Sequence, residues 1–389
     1  MKTETQGADS GYASGPALEI KALQKNSNGA AKSQRISKEP LLFTLGTKDD
    51  RPKASLLHTP TRILGLSLAN GNAAFAANAF SIKGRQLLSN IKVPFIDGNE
   101  LFPSAKGDRT IEWHTDEQRY VHFSEGHYFH DLQLVADYET NEAWTGAIPE
   151  FQGQQIPRFI ECLFRRDPVR IALLGDSISV GANASDRVGV FPHQAAYGTL
   201  WANQLRARCR VEMENFSKNG EMSKWGKAQI KPVSEWNPNL VVIAFGMNDV
   251  FDAVPPETVA QNVQKTIEGI AAQRPETEFV IVSGMSPNPE WHLYRPDLRN
   301  AYHNALMNLR RSGVAFCGIK PVWDAVVERK GFWSLTGNGV NHPNDFGHRI
   351  YASCLAMMLV PEPARSRLPN FSPGNDICID DEVCGHYFD

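Results

Sequence analysis

Apolar positions follow two different rhythms along the chain. Between about residues 41 and 166 they come in short runs, at 62–68, 86–95, 109–114, 119–124, 128–138 and 157–164. Turn clusters such as Asp97-Gly98-Asn99 separate them. The run from Tyr128 to Ala136 partly alternates apolar and polar side chains, as a half-buried strand does. Several short strands with turn signals between them predict a small, jelly-roll-like β-sandwich. After Arg165-Arg166-Asp167-Pro168 the rhythm changes. Compact apolar runs at 169–174, 211–216, 240–245, 278–283 and 314–319 read as buried strands. Helical patterns lie between them at 195–209, 223–230, 256–273 and 297–311, and a last helix starts near Asn344. Strands alternating with helices imply βαβ units, a parallel sheet and right-handed crossovers. Five such strands predict a flavodoxin-like, three-layer α/β/α domain.

The ends of the chain carry neither rhythm. Residues 1–40 are rich in Ser, Gly, Ala, Lys and Gln, and are expected to form a flexible arm. Residues 366–389 are expected to be a tail. The predicted organisation is therefore an arm, an accessory or substrate-binding β-sandwich at 41–166, an α/β domain at 167–365, and a tail.

Composition narrows the function classes. With 40 basic and 43 acidic residues, the net charge of -3 offers no broad cationic surface for nucleic acid. No apolar run approaches the ~18 residues that a membrane-spanning helix needs. No apolar stretch follows Met1-Lys2-Thr3-Glu4, so no signal peptide is read here. The expectation is a cytoplasmic protein, or a secreted or periplasmic one if the chain was trimmed. Six cysteines are too few for a disulfide scaffold at 389 residues. Cys378 and Cys384 sit in an acidic stretch, expected to be solvated, with a local disulfide or a metal clip as alternatives. His122, His127 and His130 have no recognised ligand spacing and read as strand histidines rather than a zinc site.

Open parallel sheets bind ligands at the carboxyl ends of their strands. The first α/β strand ends in Gly175-Asp176-Ser177-Ile178-Ser179-Val180-Gly181, and the second in Ser217-Lys218-Asn219-Gly220. The third ends in Gly246-Met247-Asn248-Asp249, and the turn before the last helix reads Gly339-Val340-Asn341-His342-Pro343. A Ser, a Gly, an Asn and a His thus converge on one rim. A serine hydroxyl needs an imidazole to take its proton. A serine at a helix N-terminus sits in that helix's positive end. Gly220 allows close main-chain approach, and Asn248 offers uncharged N–H donors. Asp176 is expected to brace its loop through backbone N–H groups, and Asn248 and Asp249 taken alone would read as helix caps.

This constellation resembles the SGNH (GDSL-type) serine hydrolases, over about residues 168–361. The resemblance implies that Ser177 is the nucleophile and His342 its general base. It also implies an oxyanion hole built from the backbone N–H of Ser177, the backbone N–H of Gly220 and the Asn248 amide, with no metal or organic cofactor. The family's usual Asp, three residues before the His, is replaced by Gly339. The expectation is a Ser–His dyad whose imidazole is oriented by a backbone carbonyl near Gly339, with Asn338, Asp324 and Asp345 as alternatives. His348 is a rival base, expected to pack within the last helix. Trp291 and Trp333 are candidates for walls of the substrate pocket. The two-domain layout is similar to carbohydrate acetylesterases, which implies a short-acyl, acetyl-type ester on a carbohydrate or other small molecule as substrate. An O-acyltransferase, a general arylesterase or lysophospholipase-type esterase, and a carbohydrate-binding protein with a decayed site are the alternatives. Oligomeric state is not legible.

Overall fold

The computed structural model describes residues 21–25, 31–35, 54–57, 111–114, 119–123, 125–126, 128–131, 135–138, 144–190, 192–289, 291, 293–365, 373–374, 376–377 and 379–387. Upstream, the described strands are β1 (Lys21–Lys25), β2 (Ala31–Arg35), β3 (Ala54–Leu57), β4 (Ile111–His114), β5 (Arg119–His122) and β6 (Val135–Tyr138). They pair antiparallel, in the order β2-β1-β6-β3 and as a β4-β5 hairpin. The runs expected at 62–68 and 86–95, which the predicted sandwich needs, lie outside the described residues.

The α/β unit is built on β7 (Val169–Gly175), β8 (Val211–Asn215), β9 (Leu240–Ala244), β10 (Glu278–Ser283) and β11 (Val314–Gly318). All neighbours are parallel, in the order β11-β10-β9-β7-β8. This is the predicted flavodoxin-like order, and its direction reverses between β7 and β9, where such sheets place ligands.

Strand alternation divides the core into two layers. Ile171 and Leu173 of β7 face Tyr197, Trp201, Ile350 and Leu355 on one side. Ala172 and Leu174 face the other side, with Val259, Val263, Ile267 and Ile270. Those four lie along one face of the helix Pro256–Gln273 at helical spacing. With both faces covered, the central strands read as continuous apolar runs. The edge strand β8 differs: Glu212 and Glu214 are exposed, and such charges discourage pairing with another sheet.

Four expectations change. Residues 157–164 form a helix, α1 (Pro157–Arg165), not a strand. Proline opens it at a first-turn position, and Phe159, Ile160 and Leu163 bury one face in the α/β core. The buried Glu278 carboxylate accepts from the N–H groups of Phe159 at 2.7 Å and Arg158 at 3.2 Å, satisfying the helix's first donors. Within the run expected at 128–138, Tyr128–Asp131 is a helical turn and only Val135–Tyr138 is a strand, β6; Phe129 and His130 of the turn are buried. A helix unread in the sequence, Ile319–Lys330, follows β11 directly. The C-terminal stretch is not solvated: Ile377, Ile379, Val383 and Cys384 are buried in the main core, and Asp381 pairs with Arg166 and Arg208.

Candidate active site

The end of β7 dictates a tight turn. A Cβ at Gly175 would lie 2.3 Å from Ser179 Oγ and 2.6 Å from the Ala244 carbonyl, so only glycine lets β7 approach β9 here. Asp176 follows in extended conformation and caps the short helix α2 (Ser177–Val180), its Oδ1 accepting from Ile178 N at 3.0 Å. Its carboxyl is fully enclosed, and burial pushes its pKa up to about 6 against the pull of the Ile178 N–H. Ser177 is thereby the first residue of a helix, where the backbone N–H has no intrahelical acceptor.

The His342 turn is laced by its own side chains. Asn338 Oδ1 accepts from the N–H groups of Val340, Asn341 and His342, each at 3.0 Å. Thr336 Oγ1 accepts from Gly339 N at 2.7 Å, and Gly337 N donates to the His342 carbonyl at 2.9 Å. Gly339 adopts φ +87°, which a side chain would strain. The turn delivers His342 Nε2 to 2.9 Å from Ser177 Oγ.

The other imidazole nitrogen corrects an expectation. Nδ1 faces Asn183 Oδ1 at 2.8 Å and Glu125 Oε1 at 3.2 Å, not a carbonyl near Gly339. The Gly339 carbonyl instead accepts from Asn288 Nδ2 at 2.7 Å. The Asn183 amide has one sensible orientation. Its Nδ2 donates to the Gly337 carbonyl at 3.2 Å, which leaves Oδ1 for Nδ1. Nδ1 therefore carries a proton, and Nε2 is free to accept from Ser177. Asn338 serves from a distance: it shapes the turn and donates Nδ2 to Glu125 Oε1 at 3.2 Å. Asp324 pairs with Lys320, and Asp345 accepts from Ser185 N at 2.7 Å. His348 is buried, stacks on Tyr197 and bonds the Ala182 carbonyl through Nε2 at 3.1 Å. Burial lowers its pKa to about 4, so it stays neutral.

Gly220 and Asn248 line the same cavity as Ser177 and His342. Gly220 has φ +75° with open space where a Cβ would stand, so backbone conformation, not crowding, calls for glycine. Asn248 Nδ2 donates to the Glu221 carbonyl at 2.9 Å. Asp249 accepts from Ser223 N at 3.0 Å and from Ser223 Oγ at 2.6 Å. Neither side chain caps its own helix, Met247–Phe251. They tie the loop after β9 to the loop after β8, which holds Gly220 and Asn248 in register. Trp291 lines the cavity and meets Phe251 edge-on, with ring centroids 4.4 Å apart. Trp333 does not line it; it is buried and stacks on Phe129.

Sequence reading missed Asn183, Glu125 and Phe123. The last two join the cavity wall from the upstream region. Asn183 lies two residues past the Gly175–Gly181 turn at φ +57°, a conformation Asn tolerates better than most, but no local pattern reveals its partner. Among the described residues, no group of three or more His, Cys, Asp or Glu is placed to hold a metal ion.

Residues 173–350 match the model of the GDSL-like Lipase/Acylhydrolase family. Over those residues the chain carries a GDSL-like domain. Solved structures similar to it include a two-domain esterase, CEX, active on acetylated mannans, at 15% identity and TM-score 0.45, covering 60% of this chain and 59% of CEX. A variant of Axe2, an acetyl-xylooligosaccharide esterase from Geobacillus stearmophilus, is 17% identical at TM-score 0.40, covering 50% of this chain and 95% of Axe2. LAE5, an alpha/beta hydrolase from the metagenome of Lake Arreo, Spain, is 20% identical at TM-score 0.41, covering 50% and 97%. No curated protein sequence matches the chain.

Proposed function

We propose that the GDSL-like domain is a serine esterase that removes short acyl groups, acetyl above all, from carbohydrate esters through an acyl-enzyme. The observation that carries this reading is the 2.9 Å contact between Ser177 Oγ and His342 Nε2, with Nδ1 held as a donor by Asn183. His342 Nε2 takes the Ser177 proton as Oγ attacks the ester carbonyl. The oxyanion meets the Ser177 and Gly220 N–H groups and the Asn248 amide. One Asn248 N–H is spent on the Glu221 carbonyl, which fixes the direction of the other, the donor assigned to the oxyanion. Collapse breaks the ester bond, and His342 returns the proton to the departing alcohol. Water then attacks the acyl-enzyme through the same His342 and releases the acid.

The cavity, about 280 Å³, supports a small polar substrate with a planar apolar side. Phe123 and Trp291 offer aromatic surface for a sugar ring, and Asn219 and Asn341 offer amides for hydroxyl groups. The assay is a panel of p-nitrophenyl esters and acetylated oligosaccharides, with a fluorophosphonate probe as label. Ser177→Ala is expected to abolish both hydrolysis and labelling; unchanged hydrolysis in that variant refutes the assignment. Acetylated sugar exceeding free acetate, when a sugar acceptor is supplied, would make the enzyme an O-acyltransferase instead.

A further inference from the structure

The carboxylate beside the catalytic imidazole comes from outside the GDSL-like domain. Glu125 lies upstream of residues 173–350, yet its Oε1 stands 3.2 Å from His342 Nδ1. Two features put it there. Phe129 and His130 are buried a few residues further on: Phe129 stacks on Trp333, and His130 Nε2 bonds the Asn183 carbonyl at 2.9 Å. Asn338 Oδ1 is committed to three backbone N–H groups, so its Nδ2 is left to donate, to Asn341 Oδ1 at 3.0 Å and to the same Glu125 oxygen at 3.2 Å. His342 Nδ1 and Asn338 Nδ2 thus both reach the carboxylate, while its side chain remains about half exposed.

Resting on the esterase reading, we infer that Glu125 is a positioning residue of the active site, which supplies the negative charge that Gly339 cannot. The division of labour follows from the chemistry. Asn183 is neutral and fixes the imidazole tautomer. An amide oxygen offers little to the imidazolium that forms when His342 takes the Ser177 proton, whereas a carboxylate stabilises it directly. The segment carrying Glu125 is therefore part of the catalytic centre and not only an accessory to it. Burial raises the Glu125 pKa, but the hydrogen bond and charge attraction from His342, with the amides of Asn338 and Asn183, outweigh burial and leave it below its ordinary value. The carboxylate accordingly gives up its proton more readily than an ordinary glutamate.

Among the described residues, Asp176 and His348 also feel the charge on the imidazole. Asp176 titrates near pH 6 and is ionised above it, but its carboxylate is spent on the Ile178 N–H and not on His342 Nδ1. His348, on the helix after the His342 turn, is neutral.

The test compares the full-length protein with Glu125→Gln and Glu125→Ala on p-nitrophenyl acetate between pH 5 and 9. Both variants are expected to lose about 10- to 100-fold in kcat with KM within about threefold, because the charge that matters after proton transfer is gone, and in Glu125→Ala an acceptor for Nδ1 goes with it. The acidic limb of the pH–rate profile is expected to move to lower pH, since the imidazolium has lost its counter-charge; a merely structural role for Glu125 would not move it. Values of kcat within twofold of the native enzyme, or an unmoved acidic limb, overturn the inference. Ser177→Ala separates the two readings. If it is inactive while Glu125→Gln behaves as native, the esterase reading stands and only the role of Glu125 falls.

Discussion

Replacing Asn183 by Gly removes the amide that faces His342 without straining the chain, because position 183 sits at φ +57°, where glycine is at ease. The substitution deletes the 2.8 Å bond to Nδ1 and the 3.2 Å bond to the Gly337 carbonyl. A neutral hydrogen bond is worth about 1 kcal/mol net, and a buried donor left with no acceptor costs about 1–3 kcal/mol. In the otherwise native enzyme Nδ1 still has Glu125 Oε1 at 3.2 Å, so the donor is not orphaned. The lower figure applies, and kcat/KM is expected to fall about 5- to 10-fold. In a Glu125→Ala background neither acceptor remains, and the same step is expected to cost about 2–3 kcal/mol, roughly 30- to 150-fold. The double-mutant cycle should therefore show a coupling of about 1–1.5 kcal/mol. Initial rates on p-nitrophenyl acetate give the four corners, with thermal unfolding as a check on folding. An Asn183→Gly enzyme within twofold of native, or strictly additive losses, would refute the idea that both groups hold one imidazole proton.

Two further outcomes test the surrounding machinery. Asn248→Ala is expected to lower kcat about 10²-fold with little change in KM, since the amide meets charge that appears only in the transition state; a rise in KM alone would place it in ground-state binding. Asp176 titrates near 6 in the folded protein against an ordinary 3.8, so the native state holds the proton more tightly. Its contribution to stability therefore falls as pH rises from about 4 to 6 and stays flat above, a change of roughly 3 kcal/mol. Asp176→Asn keeps an oxygen for the Ile178 N–H and lacks that titration, so its melting temperature should gain on the native protein between pH 4 and pH 8. An equal shift at both pH values would show that the carboxyl is not desolvated.

Much of the α/β unit is legible in the sequence because its signals are local. The helix Pro256–Gln273 and the strand Glu278–Ser283 fall where apolar spacing predicts them. Residues 157–164 mislead because a short apolar run fits a strand as well as a helix. What decides is the core beneath Phe159 and Leu163 and the Glu278 carboxylate at the first N–H groups, neither of which is near in the chain. The C-terminal stretch misleads for a related reason. Its acidic residues suggest solvent exposure, but Ile377, Ile379 and Val383 find an apolar surface that only the folded domain presents.

The same boundary runs through the active site. Ser177, Gly220, Asn248 and His342 can be named from the chain, because each sits at a strand end or turn whose own residues dictate its backbone. The partners of His342 Nδ1 cannot. Asn183 is 159 positions from His342, and Glu125 lies farther off still, outside the GDSL-like domain. A hydrogen bond depends on distance in space, and nothing in local periodicity encodes which loop will be folded against which. The turn chemistry written into the chain brings a serine and a histidine to one rim and leaves Gly339 where an acid is expected; packing of Phe129 and His130 against the domain is what brings a carboxylate beside Nδ1 of the imidazole.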